Sequence, residues 1–223
     1  MIYSPDHRFL LLKNHKVGGT SLEVPVSMVV PENAIVTPKT SDDPEWKLKD
    51  EESYNGYSPR NYFGFHNHMS YSEISNKIDL TNVKSYVFVR NPFNIVLSSF
   101  FHRLYFIDMN LKWIKLNNNE KSFLIKEYFN DKLGAEWKRS TKKIYLSDNK
   151  NIQVTKFLRY ESGIENEINP VLVENGLSAI KLNVNEKRFR PEGVKYFDVF
   201  SDQHLDIIYN EWQWEFKMFG YKE

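Results

Sequence analysis

Two rhythms of apolar and polar residues run along the chain. The first is a short apolar run bounded by polar residues, which marks a buried strand. It occurs at Arg8 to Asn14 (RFLLLKN), at Val83 to Arg90 (VKSYVFVR) and at Ile152 to Tyr160. Tyr62 to Met69 also reads as a strand. The second rhythm is helical. After Asn91-Pro92, an N-cap and a first-turn proline, Phe93, Val96, Leu97, Phe100, Phe101 and Leu104 recur at helical spacing.

Further helices are predicted over Leu22 to Val30, shortened or kinked by Pro25, and after Ser70, where Ser70-Tyr71-Ser72-Glu73 reads as a capping box. Glu120 to Asn130 and Leu133 to Leu146 follow, then a helix from Glu161 that Pro170 interrupts. Gln203 to Phe219 reads as one amphipathic helix ended by Gly220. Pro31 to Arg60, rich in Pro, Asp, Ser, Glu and Asn, is expected to be an irregular insertion or lid. Strand–loop–helix units in alternation predict an α/β fold: a single domain over residues 1–223 with a mainly parallel central sheet flanked by helices. Ligands of such sheets bind beyond the carboxyl ends of the strands.

Composition narrows the function classes. With 41% hydrophobic and 26% charged residues, 223 residues suffice for one α/β domain with a core and do not resemble a disordered chain. A net charge of +1 supplies no global basic field, so nucleic acid is not expected as a partner. With no cysteine there is no disulfide, thiolate metal site or cysteine nucleophile. No apolar run approaches the ~18 residues of a membrane span. Ile2-Tyr3-Ser4-Pro5-Asp6 does not read as a signal peptide, and the expectation is a soluble, cytoplasmic protein.

Two segments fall where ligands are expected. Lys16-Val17-Gly18-Gly19-Thr20-Ser21 sets two glycines between a strand and a helix start. Glycines let successive N–H groups turn inward, and the helix N-terminus, Lys16 and the two hydroxyls complete an anion cradle. The lysine precedes the glycines, unlike a Walker A loop, where it follows them. An ordinary Gly-Gly turn with an exposed lysine fits the same residues. In the second segment, Arg90 ends a strand and Ser98 lies eight residues on, near the face of Asn91. The arginine fork and the serine hydroxyl suit a phosphate. An arginine–carboxylate pair and a serine in a helix contact are the structural alternative.

Taken together, the two segments resemble the PAPS-dependent sulfotransferases, most closely the carbohydrate (uronyl/heparan-type) 2-O-sulfotransferase branch. Phe157-Leu158-Arg159-Tyr160-Glu161 and the closing Phe216-Lys217-Met218-Phe219-Gly220-Tyr221 extend the likeness over most of the chain. The resemblance implies a P-loop-like sulfotransferase fold. It implies that Lys16, Val17, Gly18, Gly19, Thr20 and Ser21 hold the 5′-phosphosulfate of PAPS, and that Arg90 and Ser98 hold the 3′-phosphate. PAP would be the product, a saccharide hydroxyl the acceptor, and no metal would be required.

Phe65-His66-Asn67-His68-Met69 places two histidines two apart, on one side of a strand. The resemblance makes one of His66 and His68, marginally His66, the general base. A side chain titrating near neutral pH suits the removal of a hydroxyl proton. A metal site lacks a third ligand at a telling spacing, and a structural role is the remaining option. Lys187-Arg188-Phe189-Arg190 is a basic cluster read chiefly as a solvated charge run. Trp113, Trp137, Trp212 and Trp214 read as core rather than as sugar platforms. Two other functions stay open: a P-loop-like nucleotide kinase, and a non-catalytic protein that binds PAPS or another anion.

Overall fold

The computed structural model describes residues 1–38, 57, 59–108, 112–132, 138, 141–147, 151–182 and 189–222. In chain order the elements are β1 (Ile2–Ser4), β2 (Phe9–Leu12), α1 (Gly19–Val29), β3 (Ile35–Val36), α2 (Tyr71–Ser75), β4 (Lys84–Val89), α3 (Pro92–Ile107), α4 (Asn118–Phe129), β5 (Lys156–Arg159), α5 (Ile164–Glu174), α6 (Asp202–Glu211) and α7 (Gln213–Phe219). Short 3₁₀ turns lie at Trp113–Lys115, Lys142–Ile144, Tyr160–Ser162 and Tyr196–Asp198. The chain divides into two compact units, 1–89 with 141–186 and 90–140 with 187–223.

The first unit holds a five-stranded sheet in the order β3-β1-β2-β4-β5. Phe9–Leu12 is buried at all four positions, and Ser85 to Val89 of β4 are buried too. Such runs, without alternation, belong to strands covered on both faces. β2, β4 and β5 are parallel, with Leu12 opposite Val87 and Val89 opposite Arg159. Their carboxyl ends therefore share one edge of the sheet. The sheet is mixed, however, because β1 runs antiparallel to both β2 and β3. A tight turn joins β1 to β2, with the Arg8 N–H donating to the Pro5 carbonyl at 3.1 Å and Arg8 at φ 47°. Ile2, Phe9, Tyr86, Phe88, Ile168 and Leu172 anchor the core of this unit.

Two prolines sit inside helices rather than ending them. Pro25 lies within α1 and Pro170 within α5. Neither has an N–H to give the carbonyl four residues back, so each helix relies on other bonds. Ser27 Oγ donates to the Val24 carbonyl at 2.6 Å in α1. Asn169 pairs with both backbone groups of Ile180, at 2.8 and 3.0 Å, and so ties α5 to the segment that follows it.

The second unit is helical and aromatic. Asn91 accepts the Phe93 N–H at 2.9 Å and Pro92 opens α3, as the sequence predicts. The ring of Phe100 meets Phe101, Trp113, Tyr128 and Phe200 at centroid distances of 5.2 to 5.9 Å. Trp113 and Trp212 are buried, in keeping with a core role, while Trp137 lies outside the described residues.

Three predicted elements differ. Tyr62 to Met69 is a series of turns, because Asn61, Gly64 and His68 all take positive φ and break an extended chain. The described part of the Leu133 to Leu146 segment holds a 3₁₀ turn at Lys142–Ile144 and a bridge from Leu146 to Ile152. The single helix expected over Gln203 to Phe219 is two, parted at Trp212, whose backbone leaves helical values (φ −106°, ψ 18°) while its side chain is buried. Within the expected excursion over Pro31 to Arg60, Ile35–Val36 forms β3, and residues 39–56 and 58 lie outside the described ones.

Candidate functional site

In the first unit, the chain leaves β2 through Lys13 and Asn14, both nearly fully buried, before turning into the glycine loop. Asn14 fastens this turn. Its Oδ1 accepts the His15 N–H at 2.7 Å, and its Nδ2 donates to the Phe88 carbonyl of β4 at 3.0 Å. Lys16 (φ 55°) and Gly18 (φ 73°) take left-handed backbone, and Val17 between them does not. Alternation of this kind is the pattern of a nest, in which successive N–H groups converge on one point. A left-handed lysine costs about 1–2 kcal/mol, which the surrounding bonds must hold in place.

Gly18 is the N-cap of α1 and supplies no side-chain cap, and no acidic residue lies in the first turn. The helix end thus presents its partial positive charge with no acidic side chain in its first turn. Gly18 is required twice over. Its φ favours glycine, and a Cβ there would lie 2.9 Å from Ile164 Cδ1 and 3.0 Å from Tyr160 Cε2. A Cβ on Gly19 would press on the Lys13 stem at 3.2 Å. That stem runs under the loop to Glu23, with Nζ 2.5 Å from Oε2, and Glu23 Oε1 also accepts from the Met1 amino group at 2.9 Å. Burial alone would push the Glu23 carboxyl up, but Lys13 and the Met1 amino group outweigh it and hold the group ionised. A crevice under the loop, lined by Leu12, Asn14, Val17, Gly19, Glu23 and Phe88, is about the size of a water molecule. A larger anion must meet the loop from its outer side.

The two histidines of the sequence motif separate. His66 is exposed, and its Nδ1 lies 2.8 Å from the carbonyl of its neighbour Asn67. His68 turns to the loop instead. Its Nδ1 lies 3.0 Å from the Lys13 carbonyl, and its ring stacks on His15 with centroids 3.9 Å apart and planes 18° apart. A carbonyl only accepts, so Nδ1 carries the hydrogen and the lone pair sits on Nε2. Burial, then the neighbouring His15 and Lys13, push the His68 pKa far below its ordinary value, and the ring stays neutral. The strand argument, with both histidines on one side, is thus corrected: the left-handed backbone of His68 (φ 60°) turns it from the path of His66.

The second unit carries the other candidate pair. Arg90 is half-buried just ahead of the Asn91 cap, and Ser98 is half-buried two turns into α3. Seven residues of helix rise about 10 Å, so one phosphate meets both only if Arg90 folds back along that face. Of the Lys187–Arg190 cluster, Lys187 and Arg188 lie outside the described residues. Phe189 packs on Tyr105 at 4.5 Å, and Arg190 is exposed.

The sequence reading missed three contributors. His15 stands at no telling spacing from His66 and His68, and Lys13 and Asn14 form the polar end of the RFLLLKN run. Their one signal is that two polar residues close an apolar run directly ahead of a glycine loop. Among the described residues no three His, Cys, Asp or Glu side chains group as a metal site would require, and no helix is long and apolar enough to cross a membrane. No protein-family model matches the chain, and no curated protein matches it.

Proposed function

We propose that the protein is a sulfotransferase that moves a sulfuryl group from PAPS to an acceptor hydroxyl, and that the acceptor is a carbohydrate. The observation that carries this reading is a pairing within one loop region. A nest-like glycine loop bearing Lys16, at the N-terminus of α1, stands beside a histidine, His68, that is neutral and keeps a lone pair on Nε2. Anion holding and proton removal are the two tasks of the transfer.

In the proposed step the acceptor oxygen attacks sulfur in line with the bridging oxygen. The new O–S bond forms as the S–O bond to the 5′-phosphate breaks, and the electron pair leaves with PAP. His68 Nε2 takes the hydroxyl proton once PAPS is bound: buried beside His15 and Lys13, the ring is by itself a weak base, and the anionic phosphosulfate next to it raises its basicity. Lys16 and the amides of residues 18–21 offset the charge that grows on the leaving oxygen, and the step calls for no metal. Val17, buried at 2% exposure, supports the loop from below, so its part in binding is through its backbone. Arg90 and Ser98 are assigned to the 3′-phosphate by the family resemblance. His66 is left as a surface residue, its Nδ1 beside the Asn67 carbonyl.

Calorimetric titration with PAP, ADP and ATP, in EDTA and then in Mg²⁺, tests the reading. Metal-free PAP binding together with transfer of label from [³⁵S]PAPS to a saccharide supports it. Mg²⁺-dependent ATP binding without PAP binding makes the protein a nucleotide kinase instead. PAP binding with no transfer to any of a panel of hydroxyl acceptors makes it a non-catalytic binding protein.

A further inference from the structure

His15 and His68 are gripped from opposite sides. His15 is tied through its N–H to Asn14, which is tied in turn to the Phe88 carbonyl. His68 is tied through Nδ1 to the Lys13 carbonyl, and its chain neighbours Asn67 and Met69 are both buried. Between these anchors the two imidazoles lie face to face at 3.9 Å. Face-to-face stacking blocks rotation of the His68 ring about its last bond, because any tilt drives an edge into His15. The Lys13 carbonyl alone would leave that ring free to swing on a single hydrogen bond.

We propose that His15 is a positioning residue for His68, holding its ring in one orientation and one tautomer with Nε2 presented as the proton acceptor. The inference rests on the reading of His68 as the base, but it concerns the geometry of the ring and is measurable without turnover. The charged and titratable groups around His68 bear on its charge state rather than on its orientation, and they keep the ring neutral before substrate binds. Burial first, then His15 and Lys13 from the loop and the Met1 amino group ahead of β1, oppose a second proton on His68. Glu23 of α1 lies against Lys13 and Met1 and offsets part of that field. With His15 in place the ring keeps its lone pair through the range in which an ordinary histidine charges.

Two-bond ¹H–¹⁵N correlation spectra of ¹⁵N-histidine-labelled protein read the tautomer and titration of His68 directly. In the wild type His68 should show a protonated Nδ1 and a bare Nε2 that does not titrate between about pH 5 and 8. His15→Phe keeps a flat ring in the stack and should keep that signature. His15→Ala should give exchanging tautomers and a His68 titration within that range. Where transfer from PAPS is measurable, His15→Ala should lower kcat about tenfold or more with little change in KM for PAPS, and an acid limb should appear in the rate profile. A His68 spectrum unaltered in His15→Ala overturns the proposal. So does His15→Phe behaving as His15→Ala. Failure to find sulfuryl transfer leaves these spectra to decide the matter by themselves.

Discussion

Lys13 passes directly beneath Gly19 to reach Glu23, so the cation closest under the anion loop is already committed to a buried carboxylate. Both side chains are at most 5% exposed. Breaking such a pair leaves a buried charge with too few partners. Lys13→Met should therefore lower the unfolding free energy by about 3 kcal/mol in urea, and adding Glu23→Gln should recover part of it. A loss under about 1 kcal/mol would mean that the Met1 amino group satisfies Glu23 alone.

The two loop glycines should not be equivalent. At Gly18 a methyl group meets positive φ and two side chains at about contact-limiting distance, whereas at Gly19 it meets only the flexible Lys13 stem. Gly18→Ala should cost about 2 kcal/mol or more and weaken PAP binding by calorimetry. Gly19→Ala, at the first position of α1, should cost less. The reverse order would show that the loop is held by contacts other than these.

Lys16 and Arg90 should separate turnover from binding. Lys16→Ala should lower kcat by about a hundredfold or more and change PAP affinity only a few-fold, because the leaving oxygen gains its charge only in the transition state. Arg90→Ala should weaken PAP by about ten- to a hundredfold yet leave AMP, which lacks the 3′-phosphate, nearly unaffected. Equal losses for PAP and AMP would remove Arg90 from the 3′-phosphate.

Acid should destabilise the protein through His68 before it does so through Glu23. The folded His68 pKa lies far below its ordinary 6.5, so below that pH the unfolded chain binds one proton more. Stability then falls as the pH falls, by up to about 1.4 kcal/mol per pH unit from this group. Glu23, held below its ordinary 4.5, adds its own loss only at lower pH. Urea midpoints at pH 7, 6 and 5 should converge toward those of His68→Gln as the pH drops. Parallel slopes for the two proteins would mean that His68 titrates normally in the fold.

What could be read from residues was what local forces decide. The Val83 to Arg90 run became β4, and Asn91-Pro92 capped α3 because cap chemistry is local. The glycine loop was legible for the same reason. Ile2–Ser4 was not, since three residues carry no period and the strand exists by pairing with β2 and β3. YFGFHNHM mimics the composition of a strand, yet left-handed residues at 61, 64 and 68 turn it. Pro25 and Pro170 count against a regular helix locally, yet α1 and α5 each run through one of them. The His15–His68 stack joins distant segments, just as Lys13 and His68 bond across 55 positions, and no spacing rule reaches that far.

The ends of the sheet bear on how the protein behaves at high concentration. A net charge of +1 gives little mutual repulsion between molecules near neutral pH, a condition that favours self-association. An open strand edge is the usual template for such growth. Here one edge strand, β3, is only two residues long, and Val36 is bridged to Arg60. The other, β5, exposes Lys156 and Arg159 at its two ends. A second chain adding to β5 in register would bring like charges together, so the strand ends do by placement what the net charge leaves undone.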